Sequence, residues 1–184
     1  MISAWEIPRE WGFLENVIGE YSSPMELNML AHLLQNQEIN REAVSAYAMA
    51  MRDQDMITEI EMGNLLLQSE EIPYYHYDFN GMETADFSEE EKYGYTIAKN
   101  NGLRSQLQQM GIDNYMDYEA YGRDTAINEN AYLGRNGYLD TRSAEKMDLN
   151  RYSKGELYTE AGVELPDEIR QKEEEREIDI LLKL

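Results

Sequence analysis

Apolar residues three and four apart recur from Leu27 to Leu67, and this period restricts the fold more than any other feature of the chain. Ser23-Pro24-Met25-Glu26 is a helix start, because Ser23 is placed to cap, Pro24 suits the first helical position and Glu26 completes a capping box. Leu27, Leu30, Ala31 and Leu34 then make the expected buried stripe. Asn40 is placed to cap a second helix with Val44, Tyr47, Ala48 and Met51 inward, and a third is expected from about Met56 to Gln68 with Ile57, Ile60 and Leu65 to Leu67 inward. Trp11, Leu14, Ile18 and Tyr21 share the spacing, against which stand Gly12 and Gly19, and Ile2 to Ile7 has an extended alternative. Short helices joined by short polar connections pack most economically as a small antiparallel bundle.

After Pro73 the pattern changes. Tyr74 to Phe79 alternates bulky strand formers and stops at Asn80-Gly81, which predicts a strand and a turn. Ser88 to Glu91 is a second capping box, leading a helix through Tyr93, Ile97 and Ala98 to Gly102, with a short helix around Ser105 to Met110. Tyr115, Tyr118 and Tyr121 fall three apart and predict one aromatic stripe on a helix that Gly122 ends. Ala131 to Leu133 and Tyr138 to Asp140 read as a hairpin bent at Asn136-Gly137. Leu149 to Gly155 reads as a loop. Pro166 opens a charged helical segment with Glu168 and Lys172 four apart, ending on the apolar Ile178, Ile180, Leu181, Leu182 and Leu184, which need cover. The expected fold is α+β and mainly helical, a small helical bundle followed by an α+β domain with a short antiparallel sheet or hairpin. The expected domains are an acidic helical one over 1–72, an α+β one over 73–140, and a charged extension over 141–184, partly disordered or helical.

Charge narrows the function. The chain has 16 Lys plus Arg against 37 Asp plus Glu, a net of −21, and residues 1–91 hold 19 of the acids but 3 of the bases. A polyanion repels another, so direct nucleic-acid binding is not expected. Cysteine is absent, which excludes a disulfide framework and thiolate metal sites. No apolar run reaches membrane-spanning length and Met1 to Glu10 lacks the order of a signal peptide, so the expected location is cytoplasmic, away from membranes. His76 and Asp78 offer two donors on a strand, too few for a metal site, and the other histidine, His32, lies in a separate helix. No nucleophile-elbow or phosphate-loop motif is present. A hydrolase using Asp117, Glu119 or Asp124 is the weakest reading, since carboxylate pairs are everywhere. No enzyme, catalytic residue, metal or cofactor is expected.

The acids have a geometric use. Duplex DNA carries about one charge per 1.7 Å of axis, comparable with the roughly 1.5 Å rise of a helix per residue. Carboxylates at Glu6, Glu10, Glu15, Glu20, Glu26, Glu38 and Glu42, then Asp53, Asp55, Glu59, Glu61, Glu70 and Glu71, recur along the leading helices with only Arg9, Arg41 and Arg52 among them. Such a surface attracts the basic groove of a DNA-binding enzyme.

The run Asn114-Tyr115-Met116-Asp117-Tyr118-Glu119-Ala120-Tyr121-Gly122-Arg123-Asp124 resembles the signature in the last domain of the ArdA family of antirestriction proteins, found on conjugative plasmids and transposons. The likeness extends through Tyr93 to Ala98, Gly102-Leu103, Glu6-Ile7-Pro8, Tyr21 to Leu30 and, weakly, Gly137-Tyr138-Leu139, so that the family's middle and last domains are expected over roughly 3–140, with its first domain absent. The resemblance implies an elongated dimer that mimics bent duplex DNA and occupies the DNA-binding cleft of type I restriction-modification enzymes, protecting an incoming mobile element. It implies no catalytic residue. On this reading the acidic first half carries the mimicry, and Tyr115, Tyr118, Tyr121 and Tyr138 serve packing or dimer contact. The alternative is an acidic protein-interaction module of a mobile-element protein, without mimicry, docking through Ile178 to Leu184.

Overall fold

The computed structural model, which describes residues 7, 9–19, 21–51, 57–79, 86–167 and 169–171, is α+β and mainly helical. A 3-10 helix, Arg9–Asn16, precedes α1 (Pro24–Asn36), α2 (Arg41–Ala50) and α3 (Glu59–Leu67). Strand β1 (Tyr74–His76), α4 (Glu89–Asn100), α5 (Leu103–Gln109) and a 3-10 turn at Asp113–Tyr115 follow. Then come α6 (Tyr118–Glu129), β2 (Ala131–Leu133), β3 (Gly137–Asp140), α7 (Thr141–Ala144) and α8 (Lys154–Ala161). Two compact units result, Met1–Glu71 with Asp148–Leu184 and Ile72–Met147.

In the helical unit α1 packs on α3 and α8, and α2 on the first 3-10 helix. Met29, Leu30 and Leu33 of α1, Met62, Leu65 and Leu66 of α3, and Leu157, Tyr158 and Ala161 of α8 are buried. The buried stripe of α1 is therefore turned from the expected one, and Ala31 is exposed. A helix with apolar residues on several sides has more than one possible stripe, and its neighbours choose. Thr58 caps α3 in a reciprocal capping box with Glu61, which is why the helix starts at Glu59 and not near Met56. Ser23 makes no side-chain cap bond, and its expected partner Glu26 pairs with Lys154 of α8 instead. A charged donor competes well against a backbone N–H.

The chain returns to this unit after Met147 because two buried amides hold it. Asn64 donates to the carbonyls of Ile60 and Tyr152 at 3.1 Å and accepts from the Tyr152 N–H at 2.7 Å. Gln68 donates to the Asp148 carbonyl at 2.9 Å. A capping box between Ser153 and Glu156 then starts α8. The expected loop from Leu149 to Gly155 thus ends inside a helix, and the expected extension over 141–184 divides, with Thr141–Ala144 in the sheet unit and Lys154–Ala161 in the helical one. The segment's own apolar pattern is thin, so its placement depends on contacts 80 and 88 residues away in sequence.

The sheet unit has three antiparallel strands in the order β1-β3-β2. Leu139 of β3 faces Tyr74 on one side and Tyr132 on the other. Strand β1 is shorter than the expected Tyr74 to Phe79: Tyr77 still donates to the Asn136 carbonyl at 3.2 Å, but the Asp78 N–H turns to the Thr96 hydroxyl at 3.3 Å. Tyr77, Tyr93 and Ala126 form the core, with Phe79, Ile97, Ala131, Leu133 and Tyr138 packed against it.

Gly122 does not end its helix. It lies within α6 where α4 crosses, and a methyl group there would sit 1.9 Å from the Glu90 carbonyl oxygen. Gly94 answers from α4, its missing methyl 2.0 Å from the Tyr118 carbonyl. Glycine serves here for backbone approach, not termination. The stop is Asn130, left-handed at φ 56°. Asp117 caps α6 by accepting from the Ala120 N–H at 2.9 Å, which leaves Tyr115 outside the helix.

Candidate functional site

The carboxylates of the helical unit fall into two groups. Glu26 is tied to Lys154, Glu61 caps α3, and Glu71 receives Arg151 on both oxygens at 2.7 Å. A carboxylate beside its own cation is a weak lure for another. Glu15, Glu38 and Glu70 are exposed, Glu42 is exposed but engaged, and Glu59 is half-buried in the first turn of α3. Glu6, Glu20, Asp53 and Asp55 lie outside the described residues, and so does the side chain of Glu10. The described cations of this unit are largely engaged. Arg41 lies over the Trp11 ring at 4.1 Å, Arg151 and Lys154 hold carboxylates, and Arg170 sits 3.6 Å from Glu164. The unit carries 24 acids against 9 bases, a net of −15, and the sheet unit 13 against 7, a net of −6.

The tyrosine segment is divided by the cap at Asp117. Tyr115 is 87% exposed, whereas Tyr118 is half-buried against Tyr95 and donates its hydroxyl to Asp113. Tyr121 accepts from the Asn101 amide at 3.0 Å. Tyr138 packs on Tyr75, Tyr77 and Tyr93 in the sheet unit's core. Burial, then the bond to Asp113, pushes the Tyr118 hydroxyl above its usual range, and burial with the bond to Glu129 does the same for Tyr93. These are structural phenols kept neutral. Where α4 meets α6, burial first, then Glu119 and Asp117, raises the pKa of Glu91.

Of the three carboxylates of the hydrolase reading, Asp117 is a cap, Glu119 is exposed, and Asp124 stands 4.0 Å from Arg123 at the surface. His76 stacks edge-on against Tyr74, and Asp78 is held by Lys99. No cluster of three or more metal-ligating side chains occurs among the described residues, and none of their helices is long and apolar enough to cross a membrane. One cleft of about 460 Å³ opens in the sheet unit beside Tyr75, Tyr138, Arg142 and Lys146. Its cations follow the hairpin four residues apart, a spacing present in the sequence but inconspicuous among the acids.

The glycine crossing, the hairpin and the tyrosine segment all lie within the stretch that comparison identifies. No curated protein and no solved structure matches the chain. The antirestriction protein family ArdA matches over residues 1–140, most of the chain, and on that ground the protein belongs to the ArdA family.

Proposed function

We propose that this antirestriction protein acts as an acidic mimic of duplex DNA, its helical unit occupying the DNA-binding cleft of a type I restriction-modification enzyme. The observation that carries the reading is the charge of that unit: a net of −15 in which the described cations are largely held internally while Glu15, Glu38 and Glu70 face solvent. A basic groove built for phosphates feels such a surface at long range, and the attraction is screened by salt. Pairing of two copies through the sheet unit, with Tyr115 at the contact, belongs to the same proposal, as does action in the cytoplasm of a cell receiving a conjugative element.

The test is displacement of labelled duplex DNA from a type I methyltransferase core, titrated with the protein at several salt concentrations. Displacement that weakens as salt rises is expected. An active target enzyme that keeps its DNA even at low salt overturns mimicry and leaves an acidic docking module as the better account.

A further inference from the structure

The cleft of the sheet unit has a floor and a rim of different character. Tyr75, Tyr93 and Tyr138 make an aromatic floor, with ring centroids 5.4 Å apart for Tyr75 and Tyr138 and 4.7 Å for Tyr93 and Tyr138. Half of the Tyr75 surface is open to solvent. The rim carries Glu129, Asp140, Arg142 and Lys146, and the volume of about 460 Å³ suits a small organic molecule.

The rim charges are not equally available. Glu129 already accepts the Tyr93 hydroxyl at 2.7 Å, and Asp140 accepts the Ser143 N–H at 3.2 Å and its hydroxyl at 2.7 Å. Arg142 gives one N–H to the Asn128 carbonyl at 2.7 Å, and neither it nor Lys146 has a carboxylate within ion-pair distance among the described residues, although Lys146 is near enough to help hold the Asp140 carboxyl below its usual range, after the bond from Ser143. Elsewhere in the chain Lys99, Arg104, Arg123, Arg151, Lys154 and Arg170 all have one. Arg41, Lys92 and Arg135 also have no carboxylate within that distance among the described residues, so what sets Arg142 and Lys146 apart is that both line one cleft beside an aromatic floor.

We infer that this cleft binds a small anion carried on a flat ring, the ring lying on Tyr75 and Tyr138 and the anionic group meeting Arg142 and Lys146. A guanidinium and an ammonium serve carboxylate and phosphate alike, so the shared chemistry is the anion on a planar body. The inference does not depend on DNA mimicry. It also carries the opposite salt signature: the net charge of −21 repels the ligand at long range, so moderate salt, by screening that repulsion, sustains or raises affinity.

The experiment is calorimetric titration of the whole chain with adenosine monophosphate in one arm and indole-3-acetate in the other, at two salt concentrations. Saturable binding of either, weakened about tenfold or more by Lys146→Gln or by Tyr75→Ala and unchanged by Lys92→Gln, is expected. Binding of the nucleotide alone names a phosphate ligand, and binding of the indole acid alone a carboxylate. Lys146→Gln and Tyr75→Ala keep Arg142 and its bond to Asn128, and a circular-dichroism melt checks that each variant folds. Absence of saturable binding in both arms up to about 10 mM, or binding that folded Lys146→Gln and Tyr75→Ala leave unchanged, overturns the inference.

Discussion

The helical unit and the sheet unit face the same problem, packing in a chain crowded with acids, and differ in how much fit each demands. The first buries aliphatic side chains such as Leu30, Leu33, Leu65 and Leu157, whose ends adjust to one another. The second buries Tyr77, Tyr93 and Tyr95 and brings two helix backbones together at Gly94 and Gly122. Phenol hydroxyls need acceptors, so Tyr93 takes Glu129, Tyr118 takes Asp113 and Tyr77 takes the Gly134 carbonyl. The lesson is that carboxylates in the sheet unit are partly building material. In the helical unit several are surface charge with no part in the core.

A single added methyl group separates the two most sharply. Gly122→Ala forces the α4 and α6 backbones apart and is expected to destabilise the sheet unit by about 3 kcal/mol or more. Gly63→Ala in α3 meets only the flexible ends of Leu157 and Met29 at 3.2 Å, so its strain is offset by helix propensity and the net change stays within about 1 kcal/mol. Urea unfolding of both variants measures the contrast, and equal losses would break it.

Next in size is Asn64→Leu, which leaves the Tyr152 N–H and carbonyl without their buried partner and costs about 2–3 kcal/mol. Hydrogen exchange at Tyr152 should rise with it, while the sheet unit keeps its protection. A smaller effect tests the surface charges. Exchanging Glu15, Glu38 and Glu70 for Gln should weaken displacement of DNA about tenfold, or roughly 1.4 kcal/mol, with little change in unfolding. Neutralising Glu89, Glu119 and Asp124 of the sheet unit should weaken it less, and the reverse order would move the mimicry there.

The smallest effect is a pH slope. The folded pKa of Glu91 lies above its unfolded value, so the folded state binds more protons and stability falls as pH rises through and beyond the ordinary glutamate range. Glu91→Gln removes that slope. It should be slightly more stable than the parent at neutral pH and indistinguishable below both pKa values, as followed by melting temperature against pH.

Much of this architecture was legible without coordinates, and the exceptions share a cause. Local signals placed α1 at Pro24, the Asn40 cap of α2, α4 after Ser88 and the hairpin of β2 and β3, whose bend falls at Arg135-Asn136, one residue before the expected pair, because caps and turns act over three or four residues. The ArdA resemblance was legible in the same way, through the run from Asn114 to Asp124. Gly122 misled because a glycine that ends a helix and one that admits another backbone look alike until Gly94 is beside it. Only the tertiary structure chose the buried stripe of α1, returned the segment after Met147 to Asn64 and Gln68, and separated the acids held by Lys154 and Arg151 from those facing water. By itself the sequence determined how many charges the chain carries and where α1, α2 and α4 start. Which charges remain available to a partner depends on contacts between residues far apart in the chain, and no local pattern encodes those.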